Sequence, residues 1–180
     1  MAFYRASKIN KLFGLSVLII FLFLNSLQAE EKPFQLALFN PIQIQPEDIS
    51  ITGLRINLIY GKNASLTGLD WGLVHHLTGP SVGAQFGLVM IAESDFSGWQ
   101  DGFVAITKGN FEGIQFTFVN SADQATGVQF GFVNHSNYIH GLQIGIVNYA
   151  NAMKGLQLGF VNIINQGGRF PVFPFVNWSF

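Results

Sequence analysis

The chain has no cysteine, which excludes disulfides, thiol catalysis, thiolate metal sites and a lipidated amino-terminal cysteine. Charge is scarce as well, at 11% of residues. Only one stretch is long, apolar and uncharged, Leu12 to Leu24, and its 13 residues fall short of the ~20 that a bilayer-crossing helix needs. Arg5, Lys8 and Lys11 precede that stretch, and the small residue Ala29 stands before Glu30. This is the layout of a secretory signal peptide, predicted over residues 1–29. Residues 30–52 then read as a first strand and an acidic turn, and residues 53–180 as a repeat domain. Removing 1–29 takes three of the nine Lys/Arg and none of the ten Asp/Glu, leaving six against ten, a net charge of −4. The remaining cations are scattered, so the clustered basic surface that nucleic acid requires is missing.

What the sequence has in excess is 20 Gly and 19 Phe, and both follow a period. Gly-x-Gln-x-Gly-x-Val-Asn occurs nearly unchanged at Gly113–Asn120, Gly127–Asn134, Gly141–Asn148 and Gly155–Asn162, each 14 residues from the next. Upstream the frame continues at 15-residue spacing from Gly53, Gly68, Gly83 and Gly98, and a diverged ninth copy, Phe170–Asn177, precedes Trp178, Ser179 and Phe180. The segment 34–44 reads as a further, unrelated strand, followed by the turn Pro46-Glu47-Asp48.

Each copy alternates with period two, the signature of a strand. Leu156, Leu158 and Phe160 share one large apolar face, and Gly155, Gln157, Gly159 and Val161 the other. Between copies lie the Ser, Asn, Asp and Ala residues of turns. The domain is expected to be all-β with about ten strands, in one of two architectures. An antiparallel meander, closing into an up-and-down barrel, would pair residues whose numbers sum to 302, setting Leu142 against Phe160 and each Gln against a Gly. A parallel β-solenoid would make each repeat one coil and stack Gln85, Gln100, Gln115, Gln129, Gln143 and Gln157 in a ladder. The chain's end at Phe180 without a polar cap favours the meander, although Pro41, Pro171 and Pro174 argue against a clean closing seam.

The units Gly127–Asn134, Gly141–Asn148 and Gly155–Asn162, with the Pro-x-Phe-Pro-x-x-Asn-x-x-Phe ending over 171–180, resemble the tandem surface-repeat proteins of bacteria, of the leptospiral type, whose units read Gly-Leu-Gln-x-Gly-Leu-Val-Asn. The resemblance covers most of the chain after residue 29. It implies export and a cell-surface or outer-membrane setting, with no established enzymatic activity; the periplasm is the second choice of location. Asn57, Asp101, Thr117 and Pro174 depart from the pattern on repeat positions.

No residue is assigned a catalytic, cofactor-binding or metal-binding role, because nucleophile elbows, paired catalytic carboxylates and phosphate-binding glycine loops are missing. His75 and His76 are adjacent and face opposite ways, so they cannot share an ion. His135 and His140 flank one turn with only Asp123 nearby, too few ligands for a site. Arg55 and Asp70, in the Gln position of neighbouring copies, are expected to form a structural salt bridge. Asn63-Ala-Ser65 and Asn134-His-Ser136 fit a glycan-acceptor pattern, without meaning in a bacterial-type chain. The expected function is non-enzymatic, structural or interactive, in the cell envelope, with outer-membrane lipid or another envelope component as partner and no nucleic acid or small-molecule substrate; a small barrel acting as a pore or transporter is the alternative. A tilted strand with a carboxy-terminal Phe suits a barrel, but Asp101 falls mid-face between Trp99 and Phe103, where lipid would oppose a charge.

Overall fold

The computed structural model describes residues 30–180, so the predicted signal peptide lies outside the described residues. The described residues are all-β: β1 (Glu31–Phe39), β2 (Ile42–Gln43), β3 (Ser50–Asn63), β4 (Leu66–Leu77), β5 (Ser81–Ala92), β6 (Phe96–Phe130), β7 (Val133–Gln166) and β8 (Val172–Ser179). The pairing corrects the preferred expectation. Neighbouring repeats run parallel and in register, Gly83 on Gly98, Gln85 on Gln100, Gly127 on Gly141 and Gln129 on Gln143. The architecture is therefore a β-solenoid, the alternative, and not an antiparallel meander or barrel. β6 and β7 each wind through more than two coils without losing their pairing.

Two features of the motif dictate this outcome. In an antiparallel pairing each buried Gln would face a Gly and find no partner for its amide, a penalty of about 1–3 kcal/mol per unsatisfied group. Stacked in parallel, each Gln from Gln85 to Gln157 meets another Gln. The alternation also breaks after the sixth position of the motif. Asn134 is fully buried while Phe132 and Val133 are both exposed, so the chain turns a corner there and the straight strand is too short for a meander. Placing Val161 on the same face as Gln157 was thus incorrect; Asn162 points inward instead.

The first glycine of the motif makes the tight coil possible. Gly141 has φ +149°, and a Cβ there would lie 1.9 Å from the Gly127 carbonyl oxygen. The fifth-position glycine leaves room for the neighbouring amide: a Cβ on Gly145 would lie 2.6 Å from Asn134 Nδ2.

Each coil of 14 or 15 residues sends four columns of side chains inward. One is apolar: Ile51, Leu66, Phe96, Phe111, Ala125, Ile139 and Met153, interrupted by Ser81, with Phe96 and Phe111 stacked at 6.3 Å. Facing it are Leu77, Ala92, Thr107, Ala122, Ser136, Ala150 and Ile164. Of the other two, one is polar at every rung, and the second holds His75, Met90 and Ala105 before it becomes a column of Asn from Asn120 on; both are described below.

Both ends are closed by departures from the repeat. At the start, β1 lies parallel to β3 with Gln35 on Arg55 and Ala37 on Asn57. Residues Pro33 to Asn40 occupy motif positions as a further degenerate copy, so the segment is not unrelated to the repeat. At the other end, the Gly167-Gly168 bend reverses the chain and β8 pairs antiparallel to β7, with Asn177 opposite Gln157 and Phe173 opposite Asn162. The copy over residues 170–177 is thus the cap that the sequence reading found missing.

Candidate binding face and buried polar ladders

The third motif position forms a column buried at every rung from Gln35 and Arg55 through Asp70 to Gln157. Its amides are joined head to tail: Gln157 Nε2 donates to Gln143 Oε1 at 2.7 Å, Gln143 to Gln129 at 2.8 Å, Gln129 to Gln115 at 2.8 Å, Gln115 to Gln100 at 2.9 Å and Gln100 to Gln85 at 2.8 Å. Gln85 donates to Asp70 Oδ2 at 2.9 Å. A ladder with this direction needs a group at its foot that only accepts, and the carboxylate of Asp70 is that group. The second amide hydrogen of Gln143 and Gln157 reaches a carbonyl six residues on, Tyr149 and Ile163 respectively, and so joins the two walls of one coil.

The Asn column runs the opposite way. Asn120 Nδ2 donates to Asn134 Oδ1 at 2.8 Å, Asn134 to Asn148 at 2.7 Å and Asn148 to Asn162 at 2.8 Å. Each also donates to the backbone carbonyl of Phe130, Ile144 or Leu158, in the following coil. Because the two ladders point their donors at opposite ends of the solenoid, their dipoles oppose each other.

The foot of the Gln ladder is a buried ionic cluster. Arg55 Nη1 lies 2.9 Å from Asp70 Oδ2, as the sequence predicts, with both side chains fully buried. His75 Nδ1 is 2.8 Å and Asn57 Nδ2 2.9 Å from Asp70 Oδ1. Arg55 Nη2 donates to the carbonyls of Gly61 and His76. Burial alone would raise the Asp70 pKa; the Arg55 guanidinium, the His75 ring and the Gln85 amide together outweigh it and hold it below the ordinary carboxylate range. Burial lowers the Arg55 pKa, opposed by Asp70.

His75 faces inward, whereas His76 faces outward and meets Glu93 at 3.1 Å. His135 stacks on Tyr149 at 5.2 Å, and Asp123 bonds Asn137. Among the described residues no group of three His, Asp or Glu is placed to hold a metal ion. The asparagines of both glycan-pattern triplets, Asn63 and Asn134, are buried.

What sequence reasoning left undecided is where the large apolar face goes. It lies outside. The second, fourth and sixth motif positions form three outward columns, with rows such as Leu69-Trp71-Leu73, Ile114-Phe116-Phe118, Val128-Phe130-Phe132 and Leu156-Leu158-Phe160. Phe132 is 49% and Phe160 67% exposed. Neighbouring rings stack along the columns: Phe103 on Phe118 at 4.9 Å, Phe118 on Phe132 at 4.2 Å and Phe116 on Phe130 at 4.9 Å. Since only Gly102, Thr117, Gly131 and Gly145 separate the outer columns, the face carries a groove of about 520 Å³, continued by one of about 360 Å³ toward Trp71 and Leu58. With aromatic side chains of roughly 150–250 Å² and about half of each left open, the face presents on the order of 1,500 Å² of apolar surface, against ~300–600 Å² for the largest patch of an ordinary monomer. The opposite side of the coil is polar, with Glu93 bridging His76 and Lys108, and Asn165 bonded to the Tyr149 hydroxyl.

Fold and face together define a repeat β-solenoid with one apolar and one polar side. No protein-family model, curated protein or solved structure matches the chain.

Replacing Gln129 by Leu leaves Gln115 Oε1 and the Ser136 hydroxyl without their partner. It should lower stability by about 3 kcal/mol, read as a urea midpoint, while Gln124→Leu on the exposed side changes it by under ~0.5 kcal/mol. Because the Asp70 pKa is lowered in the folded chain, its stabilisation is present above the unfolded value of about 3.9 and is lost as the pH falls through the folded one. The urea midpoint should therefore hold down to about pH 4 and drop below it; a midpoint unchanged between pH 4 and pH 2 would contradict the ionic foot of the ladder.

Proposed function

We propose that the chain is a non-enzymatic exported protein of the bacterial cell envelope, and that it works by presenting its apolar sheet face to another envelope component. The observation that carries this reading is the inversion of the ordinary arrangement. Amides fill the interior, and the Leu/Ile/Phe columns lie outside, where water would otherwise meet them at a cost of about 25 cal/mol per Å². A face of this size and composition marks an interaction surface. The leader-like segment before Glu30 and the resemblance to tandem surface-repeat proteins agree with an exported setting. The pore alternative is motivated by a polar Gln lining; the buried Gln amides bond to one another inside the coil, which favours the interaction reading.

The test uses the full chain expressed in a Gram-negative host. The wild type should sediment with the envelope fraction. Replacing Phe118 and Phe132 by Ser alters only outward rings, so the purified variant should keep its circular-dichroism spectrum while moving to the soluble exported fraction. A wild-type chain found in the cytosol, or a variant that stays with the envelope, would refute the reading.

A further inference from the structure

The apolar face carries one charge. In the fourth motif position every other coil from Gly68 onward has a large apolar residue, namely Trp71, Phe86, Phe116, Phe130, Ile144 and Leu158; the coil that begins at Gly98 has Asp101. Its register is fixed, with Phe86 beside it on the preceding coil. Phe116 follows on the next coil, and Trp99 and Phe103 flank it two residues away along its own strand. Among the described residues no cation lies within ion-pair distance of Asp101 and no hydrogen bond reaches its carboxylate. Asp101 and Gly102 belong to both apolar grooves, so the carboxylate sits where the two meet.

A carboxylate among aromatic rings is a mismatch for an aliphatic partner and for a second copy of the same face, which would bring two like charges to one apolar interface. It suits a cation. Aromatic rings such as Phe86 and Phe116 on the two adjacent coils attract positive charge, and the carboxylate supplies a hydrogen-bonded counter-ion. From that point the larger groove runs over a glycine-rich floor past Phe118 and Phe130 to Ile146. It crosses four coils, about 14 Å at the spacing of paired strands. We infer that this is a binding site for a single-chain alkylammonium amphiphile, its cationic head on Asp101 and its hydrocarbon chain in the groove. The inference rests on the reading of this face as the working surface, and it adds the chemistry of what the face holds.

The test is a titration of the purified chain, residues 30–180, with dodecylamine and with dodecanol and dodecanoate, each below the concentration at which it aggregates. Trp71 and Trp99 supply the fluorescence signal. Dodecylamine should bind saturably at one site, at least about tenfold more tightly than the neutral or anionic chain of equal length. Asp101→Asn should remove that preference while leaving dodecanol binding and thermal stability unchanged. Dodecyltrimethylammonium tests whether ring faces alone are sufficient: retained binding that Asp101→Asn weakens supports the site, and binding indifferent to Asp101→Asn counts against it. Equal affinity for amine and alcohol, or no saturable binding, would overturn the inference. If envelope association still depends on Phe118 and Phe132, that failure leaves the broader reading standing. Loss of envelope association by the wild type strikes the broader reading and not the titration.

Discussion

A primary amide removed from water must find partners for two donors and an acceptor, and the solenoid rests on the way its stacked amides meet that demand. Gln on Gln at 2.7–2.9 Å along one wall and Asn on Asn at 2.7–2.8 Å along another are possible only if identical positions lie directly above one another. Parallel in-register pairing follows, because a slip of one residue would turn every amide outward. The direction of the Gln ladder requires a terminal acceptor, hence Asp70. A buried carboxylate requires neutralisation, hence Arg55, with His75 and Asn57 completing its shell. The ionic cluster in the early coils is thus the end group of a polar chain that runs through the later ones.

The same geometry explains the outer surface. A coil of 14 residues encloses so little that only four side chains per turn point inward, and two of those are amides. Leu, Ile and Phe at the second, fourth and sixth positions have no interior to enter. They form ladders of their own on the outside, stacked ring on ring, and the glycines between them leave a groove. One constraint, the narrow amide-filled coil, therefore yields both the fold and its unusual apolar face, on which Asp101 is the exception.

Much of this was legible in the residues. The period, the all-β class and the pairing of Arg55 with Asp70 follow from spacing and alternation alone. The choice of parallel over antiparallel did not, because the 14-residue period and even-sum register suit both. The deciding clue was chemical: an antiparallel register leaves each Gln opposite a Gly and its amide unsatisfied. The second clue was the phase break between Val133 and Asn134, which period-two reasoning passed over and which marks the corner of the coil. The cap was hidden because Phe175-Val176-Asn177 repeats the end of the motif, so that Phe170–Asn177 reads as another copy despite Pro171 and Pro174, while Gly167-Gly168 in fact reverses the chain. Pro33–Asn40 was missed for the converse reason, having lost both glycines of the motif. The outward position of the apolar columns depends on how little volume a coil encloses, which no local pattern states.

The parallel stacking of coils is the claim on which the rest depends, and the chain's lack of cysteine makes it directly measurable. Thr126 and His140 are exposed and paired across adjacent coils. Thr126→Cys with His140→Cys should therefore place the two Cα atoms within the ~4.4–6.8 Å that a disulfide spans, giving a monomeric cross-link under mild oxidation. Thr126→Cys with Lys154→Cys, two coils apart, should give none. An antiparallel meander would hold residues 126 and 140 about 26 Å apart along the strands, and failure of the first pair to cross-link in the folded monomer would contradict the solenoid.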